Sequence, residues 1–145
     1  MAKDTANVYI IATEGMEVRA ANILNLSQIT EMDKYFVENY SSTDYDLATN
    51  KYDDFFIRDF EYKLKIESLW ANPWQNTAYV RAVEEVPEID GEYPTDDEDE
   101  VPLVMPKWQS ARYAITLVKI NDAWYIRQVV KLEEVSEEPE STQAP

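Results

Sequence analysis

The sequence predicts an α+β domain: N-terminal helices packed on one face of a curved, mainly antiparallel four-stranded sheet. Three observations carry this expectation. Apolar residues recur at helical spacing before Lys51 and at strand spacing after Arg58. The strand-like runs follow one another through turn-forming residues, which favours antiparallel neighbours. A sheet with one apolar face needs a cover, and the leading helices are the cover the chain offers.

Thr5 to Asn25 is mixed in its signals. Glu14, Met16, Val18, Ala20, Ile23 and Leu24 suit a helix, whereas Val8 to Ile11 also suits a strand. Gly15 costs a helix about 1 kcal/mol against Ala. The expectation is therefore a helix that is broken or begins late, with Gly15 marking close packing or a break. Ser27 is a candidate N-cap for a second helix, with Glu31 and Asp33 in early turns where the dipole favours acids. Ile29, Met32, Phe36, Val37 and Tyr40 would form its core stripe. The run Ser41 to Asp44 ends it and caps a short third helix, Tyr45 to Lys51, with Asp44 and Asp46 as cap and dipole residues.

Arg58 to Trp70 alternates cleanly. Phe60, Tyr62, Leu64 and Ile66 point one way, and Asp59, Glu61, Lys63, Lys65 and Glu67 the other. Asn72 to Gln75 supplies a turn, and Thr77 to Val86 returns with Ala78, Val80, Ala82 and Val86 on one face. Residues 87–107 then read as an acidic loop insertion, punctuated by Pro87, Pro94, Pro102 and Pro106. The closing stretch, Trp108 to Val135, reads as a hairpin turning at Asn121 and Asp122. Ala111, Tyr113, Ile115 and Leu117 share one face of its first arm; Trp124, Ile126, Val130 and Leu132 share one face of its second. One domain over residues 1–132 and a disordered acidic tail over 133–145 complete the expected organisation.

The chain has 145 residues and a formal charge of −16. That charge is unevenly placed: Glu84 to Glu100 holds ten acids and no base, and Leu132 to Pro145 five acids and no base. The remainder carries 14 acids against 13 bases, so the folded part is nearly neutral. No basic patch is visible, which argues against direct nucleic-acid binding. The chain contains neither His nor Cys. Ser-His-Asp, Cys-His and His-zinc chemistry are excluded within it, as is a disulfide framework. No apolar run approaches the roughly 20 residues of a membrane helix, so a membrane would be reached only through an anchor outside this sequence.

From Tyr113 to Arg127, an alternating strand, a polar Asn121-Asp122 turn, Trp124 two residues later and a second alternating strand follow one another. With helices ahead of long strands, this pattern resembles the cystatin-like superfamily that includes nuclear transport factor and its relatives. The resemblance spans roughly Ser27 to Leu132 and implies a cone-shaped sheet. In layout the chain is similar to extracytoplasmic domains of bacterial conjugation-channel scaffolds and surface proteins. That likeness implies binding or assembly without catalysis, and an extracytoplasmic setting ahead of a cytoplasmic one. Other members of the superfamily are isomerases and dehydratases with Asp, His and Tyr in the cavity. Without His, no active-site residue carries over.

Candidate chemistry narrows accordingly. Asp90, Glu92, Asp96, Asp97 and Asp99 are hard oxygen donors but lack the spacing and central Gly of a calcium loop, so no metal is assigned. Asp53 with Asp54, or Asp59 with Tyr62, could supply acid–base groups, but neighbours on a strand point oppositely. No catalytic residue and no cofactor are assigned. Trp74 in its turn, Trp108 at the end of the acidic loop and Tyr79 on its strand are the candidate partner-binding residues, because such side chains give large contact areas. The expected function is a non-catalytic binding or scaffold domain with a protein partner, a second copy of the chain included. The alternatives are an acidic decoy for a nucleic-acid-binding protein and an isomerase-like enzyme using the cone cavity.

Overall fold

The computed structural model describes residues 2–26, 31–72 and 74–136. Among them the order is α1 (Ala2–Ile23), a 3-10 turn (Met32–Lys34), a second (Tyr40–Thr43), α2 (Tyr45–Ala48), then β1 (Phe56–Asn72), β2 (Thr77–Glu92), β3 (Ala111–Ile120) and β4 (Ala123–Glu134). The strands form one antiparallel sheet in sequence order, not closed into a barrel. This is an α+β fold with α1 packed on the sheet. Among the described residues no helix is long and apolar enough to cross a membrane.

Helix α1 corrects the expectation of a broken start, because it runs unbroken from Ala2. Val8, Ala12, Met16 and Ala20, four apart, put one stripe on the sheet. Gly15 is a site of close packing: a Cβ there would lie 2.7 Å from Ile126 Cδ1 and 3.0 Å from Tyr35 Cβ. The close approach of helix to strand outweighs the propensity penalty. Asp4, in the first turn, accepts from Lys119 Nζ and Trp124 Nε1, both at 3.0 Å, and pins the helix to the closing hairpin. Asn25, at φ 56°, ends the helix, and Leu26 N–H closes back on the Ala21 carbonyl at 3.2 Å.

Over 31–40, the described part of the helix expected from Ser27 to Tyr40, no α-helix forms. Residues 27–30 lie outside the described residues, and after the 3-10 turn Met32–Lys34 the chain meets β4 through an isolated bridge. Phe36 bridges Ile126 in parallel, with Val37 N–H donating to the Ile126 carbonyl at 2.9 Å and Ile126 N–H to the Tyr35 carbonyl at 2.7 Å. The apolar spacing that imitated a helix instead caps the edge of β4. The third helix is shorter than expected, Tyr45–Ala48, and Asp44 is its N-cap, accepting from the amides of Asp46 and Leu47.

In β1, Phe60, Tyr62, Leu64 and Ile66 face α1 as expected, and a bulge at Glu67 lets Leu69 and Ala71 continue that face. β2 continues to Glu92, past the expected end at Val86. Pro87 is accommodated at a bulge, where its missing N–H costs no ladder bond. In β4 the expected face holds only through Ile126. A bulge at Arg127 flips the parity, so Val129 packs inward while Val130 and Leu132 are exposed. The closing turn has both Asn121 (φ 51°) and Asp122 (φ 68°) left-handed, the geometry that matches strand twist in a two-residue hairpin. β4 extends to Glu134, and the rest of the expected tail from residue 137 lies outside the described residues.

Two apolar clusters result. The larger packs Val8, Ala12 and Met16 against Val80, Ile115 and Leu117, filling the space between helix and sheet. The smaller gathers Leu24, Tyr52, Phe55 and Ile57 under the far end of the β1–β2 hairpin.

Candidate functional site

Two places in the fold carry more than packing requires. The first is the outer, solvent face of the sheet at its β1–β2 turn. Trp70 and Tyr79 are cross-strand partners and stack with centroids 5.9 Å apart and planes 13° from parallel. The register extends their row through Thr116 to Gln128, with Arg81, Ala114 and Val130 in the next row. Beyond them, Trp74 projects from the turn, 89% exposed, and Trp70 is 59% exposed. The turn that holds Trp74 is well tied: Asn72 Oδ1 accepts from Trp74 N–H at 3.0 Å, and Lys119 N–H donates to the Asn76 carbonyl at 2.8 Å. The structure thus places Tyr79 on one face with Trp70, next to the turn that carries Trp74. Exposed rings on a braced hairpin are pre-ordered contact area.

Trp108 lies elsewhere. It is half-buried, stacks against Tyr52 at 6.4 Å, and donates its indole N–H to Glu84 Oε1 at 3.2 Å. It belongs to the second place, a buried polar network between α1, α2 and the sheet.

Glu84 stands at a core-facing position of β2, between Ala82 and Val86, and is fully buried. Tyr62 O–H donates to its Oε2 at 2.6 Å. Arg19 on α1, 2% exposed, forks onto Asp44: Nε to Oδ2 at 2.7 Å and Nη2 to Oδ1 at 3.1 Å. Nη2 also reaches Asp46 Oδ2 at 3.0 Å, and Tyr40 O–H donates to Asp44 Oδ2. The guanidinium lies 5.4 Å above the Tyr113 ring. Arg19 Nη1 is buried and finds no hydrogen-bond partner among the described residues.

Electrostatics separates the carboxylates. Burial pushes Asp44 up, but the hydrogen bond and charge of Arg19, with Tyr40 and the Leu47 amide, outweigh it and hold Asp44 below its usual range. Glu84 is pushed up by burial, which the Arg19 charge and its two donors only partly offset. Two carboxylates already share the one guanidinium, and among the described residues no cation pairs directly with Glu84. Tyr62 is raised well above its ordinary value by burial and by the Glu84 charge. The cavity above this network, bounded by Asp46, Tyr52, Trp108, Tyr113 and Lys131, measures about 70 Å³. Small-molecule pockets typically measure about 300–1,000 Å³.

The other acidic candidates stay apart from both places. Asp90 and Glu92 pair with Arg58 at 3.0 and 2.7 Å, and Glu100 accepts from Tyr93 and Thr95 at its own end of the loop. Asp59 binds its own strand's Phe60 amide, while Tyr62 points inward to Glu84, so these two do not meet. Sequence reasoning missed Arg19 and Glu84. The signal for Glu84 was present, since it interrupts an otherwise apolar alternation; Arg19 lay inside a helix whose buried face was not fixed. Compared with family models, curated proteins and solved structures, the chain matches none.

Proposed function

We propose that this chain is a non-catalytic binding domain that engages a protein partner through the aromatic end of its outer sheet face. The observation that carries the reading is the stacked pair Trp70 and Tyr79 with Trp74 in the adjoining turn, all exposed on a hairpin whose turn is braced by hydrogen bonds from both sides. Aromatic anchors of this kind dominate interface energies. The packed interior supports the same reading. The space between helix and sheet is filled by apolar side chains, and Glu84, the one carboxyl among the described residues with a raised pKa, is sealed from solvent. A sealed acid cannot reach a substrate proton without the fold opening.

The finer reading draws on the resemblance of the helices-then-sheet layout and closing hairpin to the cystatin-like superfamily. It makes the chain a scaffold domain of a bacterial envelope or conjugation-type assembly, extracytoplasmic in setting. Light scattering on a size-exclusion column, with cross-linking pull-downs, tests the proposal on the parent and on Trp70→Ala/Trp74→Ala. The expected result is association, with itself or with another protein, that the double variant loses by at least tenfold while its far-UV circular dichroism is unchanged. A strict monomer that retains no partner and turns over a small metabolite overturns the reading.

A further inference from the structure

The two edges of the sheet differ. β4 is blunted where Tyr35 and Val37 share main-chain hydrogen bonds with Ile126. β1 pairs with β2 alone, and among the described residues nothing else takes a backbone hydrogen bond from Phe56 to Ala71. In an antiparallel strand, alternate N–H and C=O groups point away from the paired neighbour, so β1 presents a row of them. Between Asp59 and Ile66 the strand is regular, since the irregularities fall at Arg58, at Glu67 and, on β2, at Val86 and Pro87. These eight residues span roughly 26 Å. Neither Pro nor Gly interrupts them. Phe60, Leu64 and Ile66 on the inner side are only half-buried, whereas Val80, Ala82 and Ile115 on the strands beside them are fully buried. A long regular edge with apolar surface left uncovered is a template for another strand.

The outer side of the same run selects the occupant. Asp59, Glu61, Lys63 and Lys65 stand at every second position, two acids followed by two bases. Laid antiparallel on a second copy about an axis through Tyr62, Asp59 meets Lys65 and Glu61 meets Lys63, each twice. On the inner side Phe60 meets Leu64 twice and Tyr62 meets its own copy, so ring and aliphatic chain oppose one another. Moving the axis to Lys63 sets that residue against itself and Asp59 against Glu67; moving it to Glu61 sets Glu61 against itself. Lysines on an edge strand ordinarily discourage pairing. Here they oppose the neighbouring registers and favour one. The charges are available for it. Among the described residues Asp59 accepts only from its neighbour's amide, at Phe60, and Lys65 forms no salt bridge, Glu67 being held by Arg112 at 2.6 Å. Glu61 and Lys63 touch at 3.6 Å with side chains 48% and 60% exposed, an ordinary surface contact.

We infer that β1 pairs with β1 of a second copy, antiparallel about Tyr62, and joins two sheets into one of eight strands. Main-chain hydrogen bonds and the covered apolar edge supply the affinity, and the four crossed charge pairs set the register. Both α1 helices then lie on the same side of the joined sheet. Trp70 stands eight residues from the axis, so the two aromatic ends lie roughly 50 Å apart along the paired strands. With the edge assigned to the second copy, the aromatic end is left to a different protein, which the dimer would meet twice.

Sedimentation velocity and light scattering on the full chain read the association, with far-UV circular dichroism checking that each variant folds. The parent should dimerise at micromolar concentration, and amide exchange across Asp59–Ile66 should slow at least tenfold between dilute and concentrated protein. Lys63→Glu/Lys65→Glu and, separately, Asp59→Lys/Glu61→Lys should each weaken the dimer tenfold or more. Mixing these two variants should restore a dimer, because an acid then meets a base at every position. Asp59→Lys/Lys65→Glu, which exchanges two charges and keeps their pairing, should dimerise like the parent. Trp70→Ala/Trp74→Ala should also dimerise like the parent while losing any other protein partner, which separates this edge from the aromatic surface. A parent that stays monomeric at millimolar concentration overturns the inference, as does a dimer indifferent to the charge reversals or reversed chains that stay apart when mixed. A dimer that Trp70→Ala/Trp74→Ala dissociates and the reversals do not would assign self-association to the aromatic end and overturn it too.

Discussion

Arg19→Met removes the guanidinium from the buried network and keeps most of the side-chain volume, so the cost is electrostatic. In the native protein Arg19 and Asp44 are both nearly sealed from water, with side-chain exposures of 2% and 4%. Removing one partner of a buried ion pair typically costs about 3–5 kcal/mol, because the other charge is left without compensation. Asp44 would keep three donors, the Tyr40 hydroxyl and the amides of Asp46 and Leu47. These place the expected loss at the low end, about 3 kcal/mol. For a domain of this size each kcal/mol lowers Tm by about 2–4 °C, giving roughly 6–12 °C. Urea unfolding at pH 7, followed by circular dichroism and tryptophan fluorescence, reads the loss. A cycle with Asp44→Asn isolates the pair, and the double variant should be more stable than the sum of the single losses predicts. If Arg19→Met unfolds within about 0.5 kcal/mol of the parent, an ordinary surface value, the buried network does not hold α1 and α2 together.

The acid beside it behaves oppositely. Glu84 is held above its ordinary value of 4.5 by burial, so the unfolded chain releases this proton at lower pH than the folded one. Its contribution is fully present below pH 4.5 and is lost as pH rises toward the folded value; Glu84→Gln should flatten that decline and be more stable than the parent at pH 8. A decline unchanged in Glu84→Gln, measured by urea midpoints from pH 4 to 8, would refute this. Gly15→Ala gains about 1 kcal/mol of helix propensity but drives a Cβ onto Ile126 and Tyr35, and overpacking costs about 1–3 kcal/mol. A net loss of up to about 2 kcal/mol is expected in the same assay, and a gain would show that the helix can shift. Asp122→Gly relieves a left-handed residue in a two-residue turn and should stabilise by about 0.5 kcal/mol; a loss of 1 kcal/mol in chemical denaturation would count against the turn geometry.

The closing hairpin was the most legible part of the chain, because turn chemistry and period-two alternation agree there and both act locally. Its second arm shows where such reading stops. Val130 and Leu132 have the parity of Trp124 and Ile126, but the bulge at Arg127 turns them outward, and no local residue preference announces a bulge. The stretch from Met32 to Tyr40 misled for a related reason. Its apolar residues sit three and four apart, yet Ile126 at the edge of β4 offers Tyr35 and Val37 main-chain bonds that an isolated helix cannot compete with. Of the aromatic candidates, Tyr79 stacks with Trp70 on the outer face and Trp74 stands exposed in the adjoining turn, while Trp108 turns inward and donates to Glu84. A solvent-like residue at a core parity marks such a network, and it is visible only once the strand's face is known.

The tie between Asp4 and the pair Lys119 and Trp124 joins residues 115 and 120 positions apart. α1 leaves the ribosome ahead of the sheet, yet Asp4 meets Lys119 and Trp124, and Gly15 meets Ile126, only when β3 and β4 have been made. At about 5–20 residues per second that is a wait on the order of 10 s with an apolar stripe uncovered. The meander can assemble from neighbouring hairpins without it. Folding during synthesis therefore finishes by docking α1 on the closing hairpin, and shielding of α1 in that interval would raise the yield of folded protein.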